Sequence, residues 1–238
     1  MILLALLGCL DELLESPYVL ATGIGEARSV SARVEGRLLV ATGTGVYAVD
    51  GEGHAERLGG GADAVAVSPT REYALRQGRV TWDGGALDVP GAIDLTVGYD
   101  RLVVLYPDAV EHMEPDTGAR RRVPLSGVAR AVSLGPDGTY LVVSETTLYR
   151  LGADDTLTPL ATSLVDARAA ATDAKGQVFV AQGAPEELWR VEPAGLVSVA
   201  RWLGDPRDLQ FGVGGLLPAE NLYLANGAGT LDYVRPPP

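Results

Sequence analysis

Arg28, Arg130, Arg168 and Arg207 each stand second in a short apolar segment: ARSVSA from Ala27, ARAVSL from Ala129, ARAAAT from Ala167 and PRDLQF from Pro206. Asp63 holds the same position in ADAVAV from Ala62, and Ile93 holds it in AIDLTV from Ala92. Asp94 and Asp208 stand one place later in their segments. A guanidinium is a planar, permanently charged donor that grips carboxylates and other oxyanions through a fork of N–H groups. Carboxylates pair with such cations or, when grouped, hold a hard divalent ion. If the segments are spatial equivalents around an axis, these four arginines and three aspartates gather at one end of it. Such a mouth suits a small anionic or carbohydrate ligand. The same side chains also suit a ring of ion pairs tying the segments together. Arg130 and Arg168 would then be neighbours, with Asp94 the nearer carboxylate, so Arg168 is the expected less fully paired of the two.

Other reactive groups are sparse. The two histidines, His54 and His112, fall in different repeats, and the single cysteine, Cys9, lies far from both. There is no Gly-x-Ser-x-Gly elbow, no Cys/His pairing and no His-rich metal spacing. The glycine clusters at 23–25, 43–45, 59–61 and 212–215 do not join a strand to a helix in the way a phosphate loop requires. No catalytic residue and no metal-ligand set emerges, and no cofactor is expected. A net charge of -12 with one lysine, Lys175, leaves no basic stripe for nucleic acid or for an anionic membrane surface.

The elements that must position these residues recur. Each of the six segments leads, after a turn, to a second run: RLLVAT at Arg37, EYALRQ at Glu72, RLVVLY at Arg101, TYLVVS at Thr139, QVFVAQ at Gln177 and NLYLAN at Asn221. A third run follows in every copy (VYAVD, RVTWD, AVEHM, TLYRL, ELWRV, TLDYV), and a fourth in five (AERLG, ALDVP, RRRVPL, LTPLA, VSVAR). All are too short for helices, rich in β-formers and bounded by turn residues such as Pro136-Asp137-Gly138, Asp116-Thr117-Gly118 and Asn226-Gly227. Four short strands per repeat of about 30 to 40 residues predict an all-β, six-bladed β-propeller of four-stranded antiparallel blades. The last copy lacks a fourth strand, and Tyr18–Thr22 (YVLAT) stands before the first copy as fourth strands do elsewhere. The N-terminal strand is therefore expected to complete the last blade and close the ring, removing two free sheet edges. The third-run aromatics Trp82, Tyr149, Trp189 and Tyr233 are expected to pack between blades.

Residues 16–238 form the single propeller domain on this reading, and residues 1–15 a separate signal or tether. Leu6-Leu7-Gly8-Cys9 resembles the lipobox of bacterial lipoproteins. That resemblance implies lipidation of Cys9 and a lipid-anchored location in the bacterial envelope, in the periplasm or at the outer membrane. The membrane would be reached only through that anchor, because the apolar run is too short to span a bilayer.

The repeat, carried by Pro206-Arg207-Asp208-Leu209-Gln210-Phe211, by ARAVSL from Ala129 and by Asp137-Gly138-Thr139-Tyr140-Leu141-Val142-Val143, resembles NHL-repeat and SMP-30/gluconolactonase-like six-bladed propellers. Two functions stay open. One is a non-catalytic propeller that binds a ligand or protein, or acts as a scaffold. The other, implied by the SMP-30 group, is a lactonase-type hydrolase dependent on one divalent cation such as calcium at the central channel, with Glu26, Asp63, Asp94 and Asp208 as acidic donors.

Overall fold

A computed structural model describes residues 16–33, 35–98 and 101–237. Cys9 and the expected tether lie outside these residues. Six four-stranded antiparallel sheets follow one another along the chain. Blade I is β2 (Ala27–Arg33), β3 (Arg37–Thr42), β4 (Gly45–Val49) and β5 (Ala55–Gly60). Blade II is β6 (Ala64–Val67), β7 (Glu72–Arg76), β8 (Arg79–Trp82) and β9 (Gly85–Asp88). Blade III is β10 (Asp94–Gly98), β11 (Arg101–Tyr106), β12 (Ala109–Met113) and β13 (Arg120–Pro124). Blade IV is β14 (Ala129–Leu134), β15 (Tyr140–Ser144), β16 (Thr147–Leu151) and β17 (Leu157–Thr162). Blade V is β18 (Ala167–Thr172), β19 (Val178–Gly183), β20 (Glu186–Glu192) and β21 (Gly195–Arg201). Blade VI joins β22 (Pro206–Phe211), β23 (Leu222–Asn226) and β24 (Thr230–Val234) to β1 (Tyr18–Thr22).

The ring closes as the repeat requires. β1 pairs with β24 in antiparallel register, Tyr18 opposite Tyr233 and Thr22 opposite Thr230. The Tyr18 and Tyr233 rings stack at 5.4 Å across that pairing. An unpaired β24 would present a row of free N–H and C=O groups, and β1 removes it.

The core lies between blades rather than inside any one of them. Second strands are buried on both faces, as in β11, β15 and β19, because each blade is stacked on two neighbours. One apolar cluster runs through blades IV, V and VI and includes Leu141, Phe179, Leu209 and Phe211. Among the described residues, the apolar cluster between blades I and II has four buried members, Leu39, Ala41, Ala62 and Val65. Tight backbone contact replaces side chains there: a Cβ on Gly61 would collide with the carbonyl oxygen of Gly43. The third-strand aromatics pack as expected. Trp82 lies 5.8 Å from Tyr73, and Tyr149 and Trp189 rest on interblade clusters.

Candidate functional site

The inner strands, β2, β6, β10, β14, β18 and β22, line the axis and run from a leading end to a trailing end. In four of them the pairing register slips between the first and third residues. That is a β-bulge, with two residues opposite one. The bulged residue is in each case the arginine: Arg28, Arg130, Arg168 or Arg207. The bulge re-aims the arginine, and the single expected mouth resolves into separate tiers.

At the leading end the arginines form a chain of ion pairs. Arg130 Nη1 and Arg168 Nη2 each lie 2.6 Å from an oxygen of Asp166. Arg168 also lies 3.6 Å from Asp205, which holds Arg207 at 2.6 Å. Arg130 gains Glu145 at 3.4 Å. Arg28 binds Asp63 at 2.9 Å and lies 3.7 Å from Glu26. The second Asp63 oxygen accepts the Gln77 N–H. Partial burial works against the charge on Asp166, yet hydrogen bonds from Arg168 and Arg130 outweigh it and hold the carboxyl below its ordinary range. Both arginines share Asp166 and each has a second carboxylate, while Arg168 Nε is in addition buried without a hydrogen-bond partner.

Asp166 and Asp205 were not among the expected residues. Their signal stands in the sequence as an acid two places before the arginine: Glu26-Ala27-Arg28, Asp166-Ala167-Arg168 and Asp205-Pro206-Arg207. A second signal follows the second strands. Gly43, Gly183 and Gly227 leave the space that Arg28, Arg168 and Arg207 fill, and a Cβ there would lie within 3.0 Å of the guanidinium groups. In blade IV the equivalent residue is Glu145, which pairs with the arginine instead.

Asp94 and Asp208 do not join the arginines: their side chains serve backbone amides on the inner edge of the ring, Asp208 one residue beyond the blade VI bulge and Asp94 in an inner strand whose register is regular. Asp94 accepts Leu95 N–H and, from the next blade, Val132 N–H, each at 2.8 Å. Asp208 accepts Leu209 N–H at 2.8 Å, and Val30 N–H and Ser29 Oγ of blade I at 2.9 Å each. Ser29 Oγ in turn accepts Val65 N–H of blade II at 3.2 Å. An inner strand has no ladder partner on its axial side, so these amides need such acceptors. Burial pushes the Asp94 carboxyl well above its ordinary range, and the charge of Asp208 adds to this. Burial pushes Asp208 up to about 6, against the pull of its amide hydrogen bonds.

At the trailing end the axis opens into a funnel of about 760 Å³. The fifth residues of the six aligned segments, Ser31, Ala66, Thr96, Ser133, Ala171 and Gln210, ring its wall, with Asp208 lining it as well. Ser133 Oγ and Thr172 Oγ1 are buried there with no hydrogen-bond partner among the described residues. Natively buried polar atoms are nearly always satisfied, so unpaired ones of this kind call for a water, an ion or a ligand.

Neither histidine belongs to these tiers. His54 is exposed beside Asp50, and His112 is buried between blades III and IV against Tyr140. Among the described residues, no three His, Cys, Asp or Glu side chains converge to hold a metal ion. No described helix is long and apolar enough to cross a membrane.

No protein-family model matches the chain, and no curated protein matches its sequence. Solved structures do share its architecture. A gluconolactonase from Xanthomonas campestris superimposes with a TM-score of 0.70 at 15% identity, over 96% of this chain and 92% of that one. A streptogramin B lyase gives 0.64 at 10% identity, over 91% and 96%. A protein of unknown function from Bacteroides thetaiotaomicron gives 0.71 at 9% identity, over 92% and 71%. At such identities the likeness concerns the fold, since propellers host many unrelated activities. The chain is a six-bladed β-propeller similar in fold to gluconolactonase-like and streptogramin B lyase propellers.

Proposed function

We propose that this protein is a non-catalytic binding propeller, lipid-anchored through Cys9 in a bacterial envelope, which takes a small polar ligand in the trailing-end funnel. The observation that carries the proposal is the funnel itself. Its volume of about 760 Å³ falls in the ordinary range for ligand pockets, and two of its hydroxyls are buried without partners. The leading-end arginines are by contrast matched to carboxylates, which supports a structural role for that tier.

A divalent-metal lactonase is the second reading. It is favoured by the upward-shifted carboxyl pKa values of Asp94 and Asp208 beside the channel, a common mark of functional carboxylates. The donor set fits a metal poorly: there are two carboxylates, and every oxygen of both already accepts a hydrogen bond. The test is an amide-shift titration of ¹⁵N-labelled protein with a library of small polar molecules. Binding should perturb Ser31, Thr96, Ser133 and Gln210, and a Thr96→Phe plug should abolish it. Shifts confined to the arginine tier, or lactone turnover that needs a stoichiometric metal, would overturn the proposal. Palmitate labelling that is lost in Cys9→Ala tests the anchor.

A further inference from the structure

The funnel is not symmetric, and its unsatisfied donors sit together in the sector of blades IV and V. Ser133, Leu141 and Arg150 are register partners across β14, β15 and β16. Residues in one cross-strand row share a face. Leu141 packs with Ala169 and Phe179 of blade V, so that face looks toward blade V, where Thr172 ends the inner strand. Arg150 also lines the funnel. It is half-buried, its Nε is buried without an acceptor, and it has no carboxylate partner among the described residues. In a chain with 31 acidic residues against 19 basic ones, a sheltered arginine left without a counter-charge is out of pattern. A buried N–H left without an acceptor is costly, and an anion placed against the guanidinium supplies that acceptor.

The acids on the same wall do not supply it. Asp173 is held in its own turn, accepting Lys175 and Gln177 N–H at 2.9 and 2.8 Å. Asp208 serves the amides of blades VI and I, and Asp137 lies exposed on the rim. We infer that the funnel binds a small organic carboxylate, its charge held by the Arg150 fork and its oxygens by the Ser133 and Thr172 hydroxyls. Lys175 at the rim adds longer-range attraction. This inference rests on the funnel being the binding site.

Acetate, malate and galacturonate, each beside its neutral counterpart (acetamide, malamide, galactose), would be titrated into ¹⁵N-labelled protein. At least one carboxylate should move the Ser133, Arg150 and Thr172 amides saturably, and its neutral counterpart should not. Arg150→Gln should weaken that binding by on the order of tenfold or more, while Arg76→Gln, remote from the funnel, should leave it unchanged. If Arg150→Gln fails to fold, Ser133→Ala with its hydroxyl removed serves instead, together with the expected fall in wild-type affinity as salt rises. Equal binding of charged and neutral members, no saturable shift with any carboxylate, or unchanged affinity in the Arg150 variant would each overturn the inference. A neutral sugar that still binds in the funnel would leave the binding propeller standing and remove only the carboxylate assignment.

Discussion

Replacing Asp208 by Asn should change how stability depends on pH, in the direction opposite to ordinary acid denaturation. The folded protein holds the Asp208 proton up to about 6, against an ordinary value of 3.8. Between those values the folded state binds more protons than the unfolded state, so this group makes stability fall as pH rises. At about 1.4 kcal/mol per pH unit the loss is about 3 kcal/mol across the window. The upper end of the window belongs to Asp208 together with Asp94, whose mutual repulsion couples their titrations. Asn keeps the shape and removes the charge, with a constant penalty for turning an N–H₂ toward amides that now find a carboxylate. Urea denaturation of both proteins at pH 4 and pH 7 isolates the effect. Relative to wild type, Asp208→Asn should gain on the order of 2 to 3 kcal/mol between pH 4 and pH 7. A difference that stays constant, or moves the other way, would refute the placement of a buried, protonatable carboxylate on the ring-closing seam.

Deleting residues 1–22 should expose the β24 edge, remove the Tyr18–Tyr233 stack and abolish cooperative unfolding or cause aggregation, whereas deleting residues 1–15 should leave the melt unchanged; calorimetry separates the two. Asp166→Asn removes the nearer carboxylate of Arg130 and Arg168 together and should cost about 1 to 3 kcal/mol by chemical denaturation, with part of that cost absent when Arg168 is already Met. Gly61→Ala should destabilise the seam of blades I and II more than Gly59→Ala does, since a Cβ meets backbone at Gly61 and nothing at Gly59; a thermal melt of each variant checks the order.

Much of the architecture was legible because a propeller writes its period into the chain. The apolar second strands and the YVLAT segment were enough to place β1 in blade VI. The site was legible only in part. Arg28, Arg130, Arg168 and Arg207 were found by alignment, but alignment does not show a bulge. The bulge sends these side chains to one tier and leaves Asp208, a residue later, in another, which Asp94 shares from an unbulged strand. The acid-x-Arg spacing that pairs the arginines lies in the sequence, yet its first member precedes the strand and falls outside a strand-based comparison. Arg150 and Thr172 carry no pattern at all. They are ordinary strand residues, distinguished only by the partners that their neighbours do not provide.

On the proposed function the funnel binds its ligand without catalysis and without a metal. Calorimetric titration of a funnel ligand into chelator-treated protein tests it most directly. Binding with unchanged affinity, and with the ligand recovered intact, is the expected result. Affinity lost on chelation and restored by calcium, or a ligand returned hydrolysed, would contradict it.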